Sequence, residues 1–372
     1  MDRRVRLELF ARFGAIWIVL AIIGAVSLYV AGGPVSPFST ELERFPFLDM
    51  WARWDAQWYE RIAREGYFFS ATEQSSVAFF PVYPMLMRAL GVFGLGPLAS
   101  GIVLTTFLGA LAFVLFFEWC QVFAPGPQSA RFASWVLALW PVAFFLYGAV
   151  YSDALFLVLI CGAFLALEKG FPWVTVLLGI IATATRPVGP AVVIGLLARS
   201  IELRVARKEK LRVIDFVPAL AGLGLAAWMA WQWSRFGTPT AFIETQAGWN
   251  QTPGPRTWFK ISWVTGDRFL ERLPRSLMHM GLALLMLAMI PRVWKRIGIG
   301  YAIFVALIIG MPFVSSIDFV GLGRYAIAGF PALFAFATWL EERPRLAKLW
   351  FPVSAVLLGV CVSKFAIGRY IS

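Results

Sequence analysis

Charged residues are scarce in this chain: Asp, Glu, Lys and Arg make up 15% of its 372 residues, and hydrophobic residues make up 60%. A soluble domain carries roughly 25% charged residues. This composition, with a mean hydropathy of +0.74, excludes a soluble fold and predicts a polytopic membrane protein. The formal net charge of +12 matches the Lys and Arg that membrane proteins collect in cytoplasmic loops, so we expect no nucleic-acid partner.

Histidine and cysteine are scarcer still. The three cysteines, Cys120, Cys161 and Cys361, lie inside apolar runs, which predicts core residues rather than disulfides or metal ligands. With His279 as the one histidine, the sequence has no His/Cys metal site. It also lacks a Walker A motif, GxGxxG after a strand, CxxC and HExxH, so nothing points to ATP hydrolysis, nicotinamide chemistry or a zinc protease. We predict no bound cofactor and leave a divalent cation open.

Long apolar runs predict an all-α membrane protein, a single integral membrane domain over residues 1–372 with about eleven transmembrane helices. The predicted spans are 13–31, 98–123, 132–150, 154–167, 171–185, 188–197, 213–233, 277–290, 299–314, 325–340 and 350–367. Several are shorter than the roughly 20 residues that cross a bilayer, so tilted or re-entrant pieces are expected.

The basic residues set the expected orientation. Three loops, 198–212, 291–298 and 341–349, are rich in Lys and Arg and are therefore expected in the cytoplasm, as is the basic N-terminus. The C-terminus and two long loops, 34–97 and 234–276, then lie on the outer side of the membrane.

The first outer loop contains an unusual segment, Leu48 to Tyr67, which is polar and aromatic within an otherwise apolar chain. Helical spacing puts three tryptophans on one stripe, Trp51, Trp54 and Trp58. Such a stripe suits a helix lying in the membrane interface, and Gly66 is expected to end that helix. Residues 79–96 begin FFPVYPMLMRAL and predict a second surface helix, because two prolines and Arg88 argue against a full span.

Ionisable residues outside the cytoplasmic loops are a second signal. Six of them, each in an outer loop or near the end of a span, are Asp49, Asp55, Asp153, Arg186, Asp318 and Arg324. Ionisable groups at membrane depth are costly and usually line a cavity, so these six predict one outward-facing polar cavity. Structural alternatives exist: Asp153 could cap a helix, Arg186 could snorkel to the interface, and Asp318 could be a solvated loop residue.

Six sequence blocks resemble, in this order, blocks of the PIG-V family, which comprises glycosylphosphatidylinositol mannosyltransferases and their prokaryotic relatives. The blocks read RWDAQWYERIAREGY, AFFPVYPML, YSDALFLVL, TRPVG, FGTPTAFIETQAGW and GRYAIAGFPALF, and they extend from about Trp51 to Phe334. The spacing D-x-x-x-Y-x-x-I-A-R is also similar to the first outer loop of lipid A aminoarabinose transferases. Both groups belong to the GT-C superfamily of polytopic glycosyltransferases.

This resemblance implies a GT-C-like bundle with interfacial helices in the first outer loop. It implies an inverting transferase, mannose being the family's usual sugar, with its active site on the extracytoplasmic side of the plasma membrane. The implied partners are a polyprenyl- or dolichyl-phosphate sugar donor, a lipid or glycan acceptor and membrane lipids. In these families an acidic residue of the first outer loop is catalytic, and that position matches Asp55. The chain lacks the long inserted loops of the eukaryotic members, so their acceptor is not implied.

The chemistry of sugar transfer assigns roles to these residues. A carboxylate within ~3 Å of the acceptor hydroxyl can act as a general base, a role expected of Asp55, whose structural alternative is a helix N-cap. Asp49 is the reserve, as an auxiliary metal ligand, an acceptor-binding group or a loop acid. A lipid-phosphate leaving group needs cations and donors. The outer-side candidates for that task are Arg64, Arg186, Arg324 and Tyr325. The candidates for substrate binding are Trp54, Tyr59, Tyr83, Gln246 and Trp249.

Two other function classes stay open at this point. A transporter or flippase for a lipid-linked substrate accounts equally well for many spans and a polar cavity, and a structural subunit accounts for the spans alone. A transporter should line ionisable residues through the membrane midplane. An enzyme should instead keep Asp55 and two arginines around one cavity closed to the cytoplasm.

The orientation makes a first prediction. Arg207 and Lys208 should face the cytoplasm, and Trp54 and Gln246 should face outward. Cysteines placed singly at these positions are to be labelled in intact cells with a membrane-impermeant reagent. Labelling of a cysteine at Lys208 from outside would overturn the predicted orientation.

Overall fold

The computed structural model describes residues 3–34, 42, 45–251, 253–266 and 269–371. Every regular element within these residues is helical, and no strand occurs among them, so the all-α prediction is confirmed.

The α-helices are, in chain order, α1 (Arg3–Ala31), α2 (Pro46–Asp49), α3 (Ala56–Glu65), α4 (Val82–Leu90), α5 (Pro97–Phe123), α6 (Pro127–Ala138), α7 (Phe144–Tyr147), α8 (Asp153–Glu168), α9 (Pro172–Thr183), α10 (Gly189–Ala206), α11 (Val213–Phe216), α12 (Leu223–Phe236), α13 (Ala241–Glu244), α14 (Pro255–Trp258), α15 (Ile261–Val264), α16 (Phe269–Ala288), α17 (Ile290–Arg296), α18 (Ile299–Ser315), α19 (Leu322–Ala328), α20 (Phe330–Glu341) and α21 (Pro344–Ala366). Short 3-10 helices occur at Ser76–Ala78, Gly91–Phe93, Val217–Gly222 and Thr245–Trp249.

Five helical stretches of the described chain are long and apolar enough to cross a membrane, and the protein is an integral membrane protein. These stretches are Arg3–Ala31, Pro97–Phe123, Val213–Phe236, Leu273–Arg296 and Pro344–Ala366. Five of the predicted spans fall on them, because an uninterrupted apolar run of this length has no other way to satisfy its backbone in lipid. The short helix predicted after Phe79 is confirmed as α4, and its position at the membrane surface stays a prediction.

The predicted span 132–150 is wrong, because it is not one helix. Helix α6 ends at Ala138, and the chain turns at Trp140 and Pro141 before the four-residue α7. Proline has no backbone N–H with which to continue a helix, which explains the break. Helices α8, α9 and α18 contain 16, 12 and 17 residues, short of a full span each. The count of about eleven spans therefore stays a prediction.

The chain forms two compact units. The first comprises Met1–Gly66, Tyr83–Cys161 and Phe336–Ile371, and the second comprises Tyr67–Val82 and Gly162–Ala335. The predicted outer loop 34–97 contributes to both units, and its residues 35–41 and 43–44 lie outside the described residues.

Helices α1, α5, α7 and α21 form the centre of the first unit. The Ser27 hydroxyl on α1 donates a 2.8 Å hydrogen bond to Ser363 Oγ on α21. Gly109 on α5 lies against α7 so closely that a Cβ atom there would come 1.8 Å from the carbonyl oxygen of Leu146. This backbone approach is open only to glycine, so it sets the position of the short α7.

A buried ion network joins three helices of the second unit. Arg199 Nε on α10 donates to Glu168 Oε1 on α8 at 2.7 Å, and its Nη1 donates to Glu202 at 2.9 Å. The Tyr301 hydroxyl on α18 donates to the same Glu168 carboxylate at 2.8 Å. Arg199 was predicted in the cytoplasmic loop 198–212, but α10 continues to Ala206 because this network gives its guanidinium a buried partner.

Two loop segments of the second unit pack directly on each other. Ser75 Oγ and Thr245 Oγ1 share a buried 2.6 Å hydrogen bond. A Cβ atom on Gly248 would come 2.3 Å from the carbonyl carbon of Glu73. Part of the first outer loop is therefore fastened to part of the second, 234–276, of which residues 252, 267 and 268 lie outside the described residues.

Two helical glycines test the packing of the first unit. Gly109→Ala should lower the free energy of unfolding by about 1–3 kcal/mol, because the new methyl group meets the Leu146 backbone. Gly14→Ala on α1 is the matched control, since no atom lies within 4 Å of its added Cβ. It should leave stability unchanged or raise it by up to ~1 kcal/mol. Thermal unfolding in detergent is the measurement, and equal melting of both variants would contradict the described packing.

Candidate functional site

Asp55 lies at the start of α3, in the first unit. It occupies the N-cap position, but its side chain makes no capping hydrogen bond. The reason is its backbone conformation, φ −57° and ψ −20°, which is already helical, whereas a capping residue is usually extended. Its backbone N–H donates to the Tyr151 hydroxyl at 3.2 Å. The carboxylate, which is partly exposed, is therefore not used as a helix cap.

The residue before Asp55 has a strained backbone. Trp54 has a φ of +56°, in the left-handed region that bulky L-residues rarely adopt. Such a conformation costs on the order of 1–3 kcal/mol and persists only where the surroundings enforce it. The Trp54 ring packs edge-on against Tyr370 at 4.9 Å between centroids. Strain of this kind is concentrated at functional sites, and here it lies immediately before Asp55.

Tyr151 and Ser152 hydrogen-bond to the Asp55 turn and to α3. Both residues are buried, as is Tyr59 on α3, whose hydroxyl donates to Ser152 Oγ at 3.1 Å. The Tyr59 ring lies 4.9 Å from the Tyr83 ring, centroid to centroid. Two blocks of the predicted resemblance, RWDAQWYERIAREGY and YSDALFLVL, therefore meet in the fold. Sequence reasoning missed Tyr151 and Ser152, although they are the first two residues of the block YSDALFLVL.

Asp49 is engaged in a buried ion pair. Its carboxylate accepts from the Arg53 guanidinium, and both residues are buried, Arg53 being 1% exposed. Arg53 Nη1 also donates to the Asp49 carbonyl at 2.7 Å, and Nε donates to the Ala366 carbonyl at the end of α21 at 2.8 Å. This arrangement favours a structural role for Asp49. Sequence analysis missed Arg53, although its i, i+4 spacing from Asp49 is that of an ion pair.

The predicted aromatic stripe is wrong in two of its three members, because Trp51 and Trp54 both precede α3. Trp51 is completely buried and precedes α3, and its ring packs against Gly148, where a Cβ atom would approach it to 2.8 Å. The predicted helix over 48–65 instead starts at Ala56, because the left-handed Trp54 interrupts it. The end of the helix is confirmed, since Gly66 has a φ of +89° and its N–H donates to the Ile62 carbonyl.

Tyr83 and Arg64 lie in contrasting surroundings. Tyr83 is fully buried, and its hydroxyl lies 3.1 Å from the Gly101 carbonyl oxygen and 2.7 Å from Thr105 Oγ1. The Arg64 side chain is 50% exposed, and its Nε donates to Glu60 at 3.1 Å. Tyr83 thus has its hydrogen bonds satisfied inside the protein, and Arg64 lies at the surface of α3.

Two predicted phosphate ligands come together in the second unit. The guanidinium carbon of Arg186 lies 5.2 Å from the centroid of the Tyr325 ring, and that of Arg324 lies 5.4 Å from the same centroid. Both arginines are buried. Cation–π attraction of this kind is stronger in desolvated surroundings. The three residues Arg186, Arg324 and Tyr325, all predicted to bind the donor phosphate, are therefore adjacent in the fold.

His279 positions the helix that carries Arg324. It is fully buried on α16, and its Nδ1 accepts a 3.1 Å hydrogen bond from the backbone N–H of Gly323, next to Arg324 on α19. A Cβ atom on Gly323 would come 2.7 Å from that nitrogen, so the first glycine of GRYAIAGFPALF permits the contact. Sequence reasoning assigned no role to His279, because its partner is a backbone group that no pattern of side chains reveals.

Gln246 and Trp249 lie in the loop 234–276, close to Thr245, whose hydroxyl is hydrogen-bonded to Ser75. Gln246 Nε2 donates to its own Phe242 carbonyl at 3.1 Å, and the Trp249 ring is 6.2 Å from the Phe79 ring. Both residues are partly buried. Their proposed contact with a substrate stays a prediction.

The two remaining predicted acidic groups lie at a helix start and in a turn. Asp153 is the first residue of α8 and is buried there, where a carboxylate is favoured by the helix dipole. Asp318 Oδ1 accepts from the Val320 N–H at 3.0 Å, within its own turn. The single outward cavity stays a prediction. Among the described residues, no group of three or more His, Cys, Asp or Glu side chains is placed to hold a metal ion.

Comparison with known proteins gives three findings. Residues 36–203 match the family model described as Mannosyltransferase (PIG-V). The GPI alpha-1,6-mannosyltransferase 2 of Cricetulus griseus is 32% identical over 149 residues, covering 37% of this chain and 29% of that protein. The apo oligosaccharyltransferase of Archaeoglobus fulgidus aligns with 97% of this chain and 56% of its own, at 12% identity and a TM-score of 0.49, which does not establish a common fold.

The predicted resemblance to the PIG-V family is therefore confirmed over residues 36–203. This region includes Asp55, Tyr59, Tyr83 and Arg186, whereas Arg324 and Gln246 lie beyond it. The match with the curated relative spans less than a third of that protein's length.

The buried ion pair makes a prediction about stability. Arg53→Met should lower the free energy of unfolding by about 3–5 kcal/mol, because it leaves the Asp49 carboxylate buried without its cation. The double variant Asp49→Leu/Arg53→Met removes both charges and should recover most of that loss. Thermal unfolding in detergent compares the three proteins. An Arg53→Met protein that melts like the wild type would contradict the pairing.

Proposed function

We propose that this chain is an inverting glycosyltransferase. It moves a sugar, mannose by analogy with the PIG-V family, from a polyprenyl-phosphate donor to a lipid or glycan acceptor at the extracytoplasmic face of the membrane. The observation that carries the proposal is the position of Asp55. Asp55 immediately precedes a short helix and follows a strained residue, and the helix does not use its carboxylate as a cap.

In this mechanism Asp55 is the general base. It takes the proton of the acceptor hydroxyl as that oxygen attacks C1 of the donor sugar, and the bond between C1 and the phosphate oxygen breaks. A base of this kind has to be held in one orientation, since small displacements reduce the rate strongly. The packing of Trp54 on Tyr370 and the bond from the Asp55 N–H to Tyr151 support that orientation.

The leaving group is a lipid phosphate, which we propose to be bound by Arg186 and Arg324. Arginine offers a planar fork of donors that matches phosphate oxygens, and its charge stabilises the phosphate as it departs. The shared contact with Tyr325 keeps both guanidinium groups at one ring, which supports a joint role. Arg64, at the surface of α3, is the third proposed phosphate ligand.

Asp55→Asn tests the base directly. Asparagine keeps the shape of the side chain but cannot accept a proton at neutral pH. Turnover of a polyprenyl-phosphate sugar should fall by about 10²–10⁴, while donor binding and expression stay near wild type. Release of polyprenyl phosphate, with a panel of sugars and acceptors, is the measurement.

Glu65→Gln is the matched control, since it neutralises an exposed carboxylate on the same helix that pairs with Arg61. It should keep near-normal turnover. Full activity of Asp55→Asn would remove Asp55 as the base.

The phosphate ligands make a separate prediction. Arg186→Ala and Arg324→Ala should each weaken use of the donor by roughly ten- to a hundredfold, the effect of losing one charge-assisted hydrogen bond, with less effect on the acceptor. Arg61→Ala is the control, because Arg61 is exposed and pairs with Glu65 at 3.0 Å. Donor KM and kcat are measured at saturating acceptor. Unchanged donor kinetics in both buried-arginine variants would exclude them from the phosphate site.

A further inference from the structure

The segment 255–264 of the second unit has an unusual distribution of side chains. It consists of α14 (Pro255–Trp258) and α15 (Ile261–Val264), joined by Phe259 and Lys260. Neither helix belongs to the stretches long enough to cross a membrane. The segment lies within the loop 234–276, which the sequence predicts as a connection rather than a membrane element.

Lys260 points into the protein. It is 6% exposed, and its ammonium group donates to the Ser316 carbonyl and lies 5.6 Å from the centroid of each of two rings, Phe313 and Phe319. A φ of +58° at Lys260, in the left-handed region, turns the side chain inward. Burial lowers the pKa of Lys260 to about 8, and Asp318 partly offsets this by raising it.

The large apolar side chains of the same segment point outward. Trp258 is 49% exposed, Phe259 74%, Ile261 41% and Val264 56%. Arg256, one turn before them, is exposed as well. The segment therefore buries its lysine and exposes its aromatic and aliphatic residues.

This distribution is the reverse of what water favours. Burying a lysine disfavours its charged form, and each Å² of apolar surface left in water forgoes about 25 cal/mol. The backbone at Lys260 adopts a strained conformation to achieve it. The reversal is favourable if the medium outside the segment is apolar. An arginine next to exposed aromatic residues suits the boundary between lipid headgroups and acyl chains, where the ring bodies enter lipid and the cation contacts phosphates.

We propose that residues 255–264 form an interfacial anchor that inserts Trp258, Phe259, Ile261 and Val264 into the lipid bilayer at the level of the headgroups. The occupant of this surface is lipid rather than a second copy of the chain, because the next helix, α16, leads into the membrane-crossing stretch Leu273–Arg296. Arg256 adds a preference for anionic lipid. The anchor does not depend on the proposed transferase activity.

The test places a fluorescent reporter on the segment. Phe259→Cys is labelled with an environment-sensitive fluorophore and the full-length protein is reconstituted into vesicles of zwitterionic and anionic phospholipid. The native cysteines are all buried, so the parent protein supplies the labelling blank. Thr72→Cys is the matched control, an exposed polar position in another loop of the same unit. Quenching is measured with iodide in the buffer and with spin-labelled lipids.

The proposal predicts that the reporter at 259 is quenched several-fold more by a spin label placed near the headgroups than by iodide, and that the reporter at 72 shows the opposite order. Equal exposure of both reporters to iodide would overturn the anchor. Shielding of the reporter at 259 from both quenchers, independent of lipid, would also overturn it, because a second protein copy would then cover the surface.

Discussion

The buried guanidinium of Arg53 is the interaction on which the candidate catalytic turn depends. Its donors reach the Asp49 carboxylate and the carbonyl oxygens of Asp49, Ala52 and Ala366. A charge with 1% exposure is tolerated only when such partners surround it. The same bonds fasten the turn before α3 to the end of α21, so that Trp54 can be kept in its left-handed conformation. The orientation of Asp55 follows from this anchorage.

Close contacts at two glycines organise the second unit in a similar way. Gly323 leaves room for His279 to accept its N–H, and the helix that starts there carries Arg324 and Tyr325. Gly248 leaves room for the Glu73 backbone and so fastens one loop to another. At both positions a glycine is required because a Cβ atom would clash with the neighbouring atoms, and not because the backbone adopts a left-handed conformation.

The sequence predicted those features that depend on neighbouring residues. The length of the apolar run predicted the bounds of α5 to within one residue, and Gly66 marked the end of α3. Both succeeded because apolar periodicity and helix ends are local properties of the sequence. Features that depend on distant partners escaped prediction. The stripe that contained Trp51 failed because this ring is buried against Gly148, and the bond from Arg53 to the Ala366 carbonyl was not predicted because the two residues are 313 positions apart. The pairing of Arg186 and Arg324 was expected as a shared role, but Tyr325 as their common contact required the fold.

A nucleophile that needs no base can show whether Asp55 removes a proton from the acceptor. Azide is already an anion, so Asp55→Ala should transfer the sugar to azide and release polyprenyl phosphate, although it fails with the natural hydroxyl acceptor. Nuclear magnetic resonance of the product should show a glycosyl azide of inverted anomeric configuration. A product of retained configuration, or an Asp55→Ala enzyme that uses the hydroxyl acceptor as well as the wild type does, would contradict the claim.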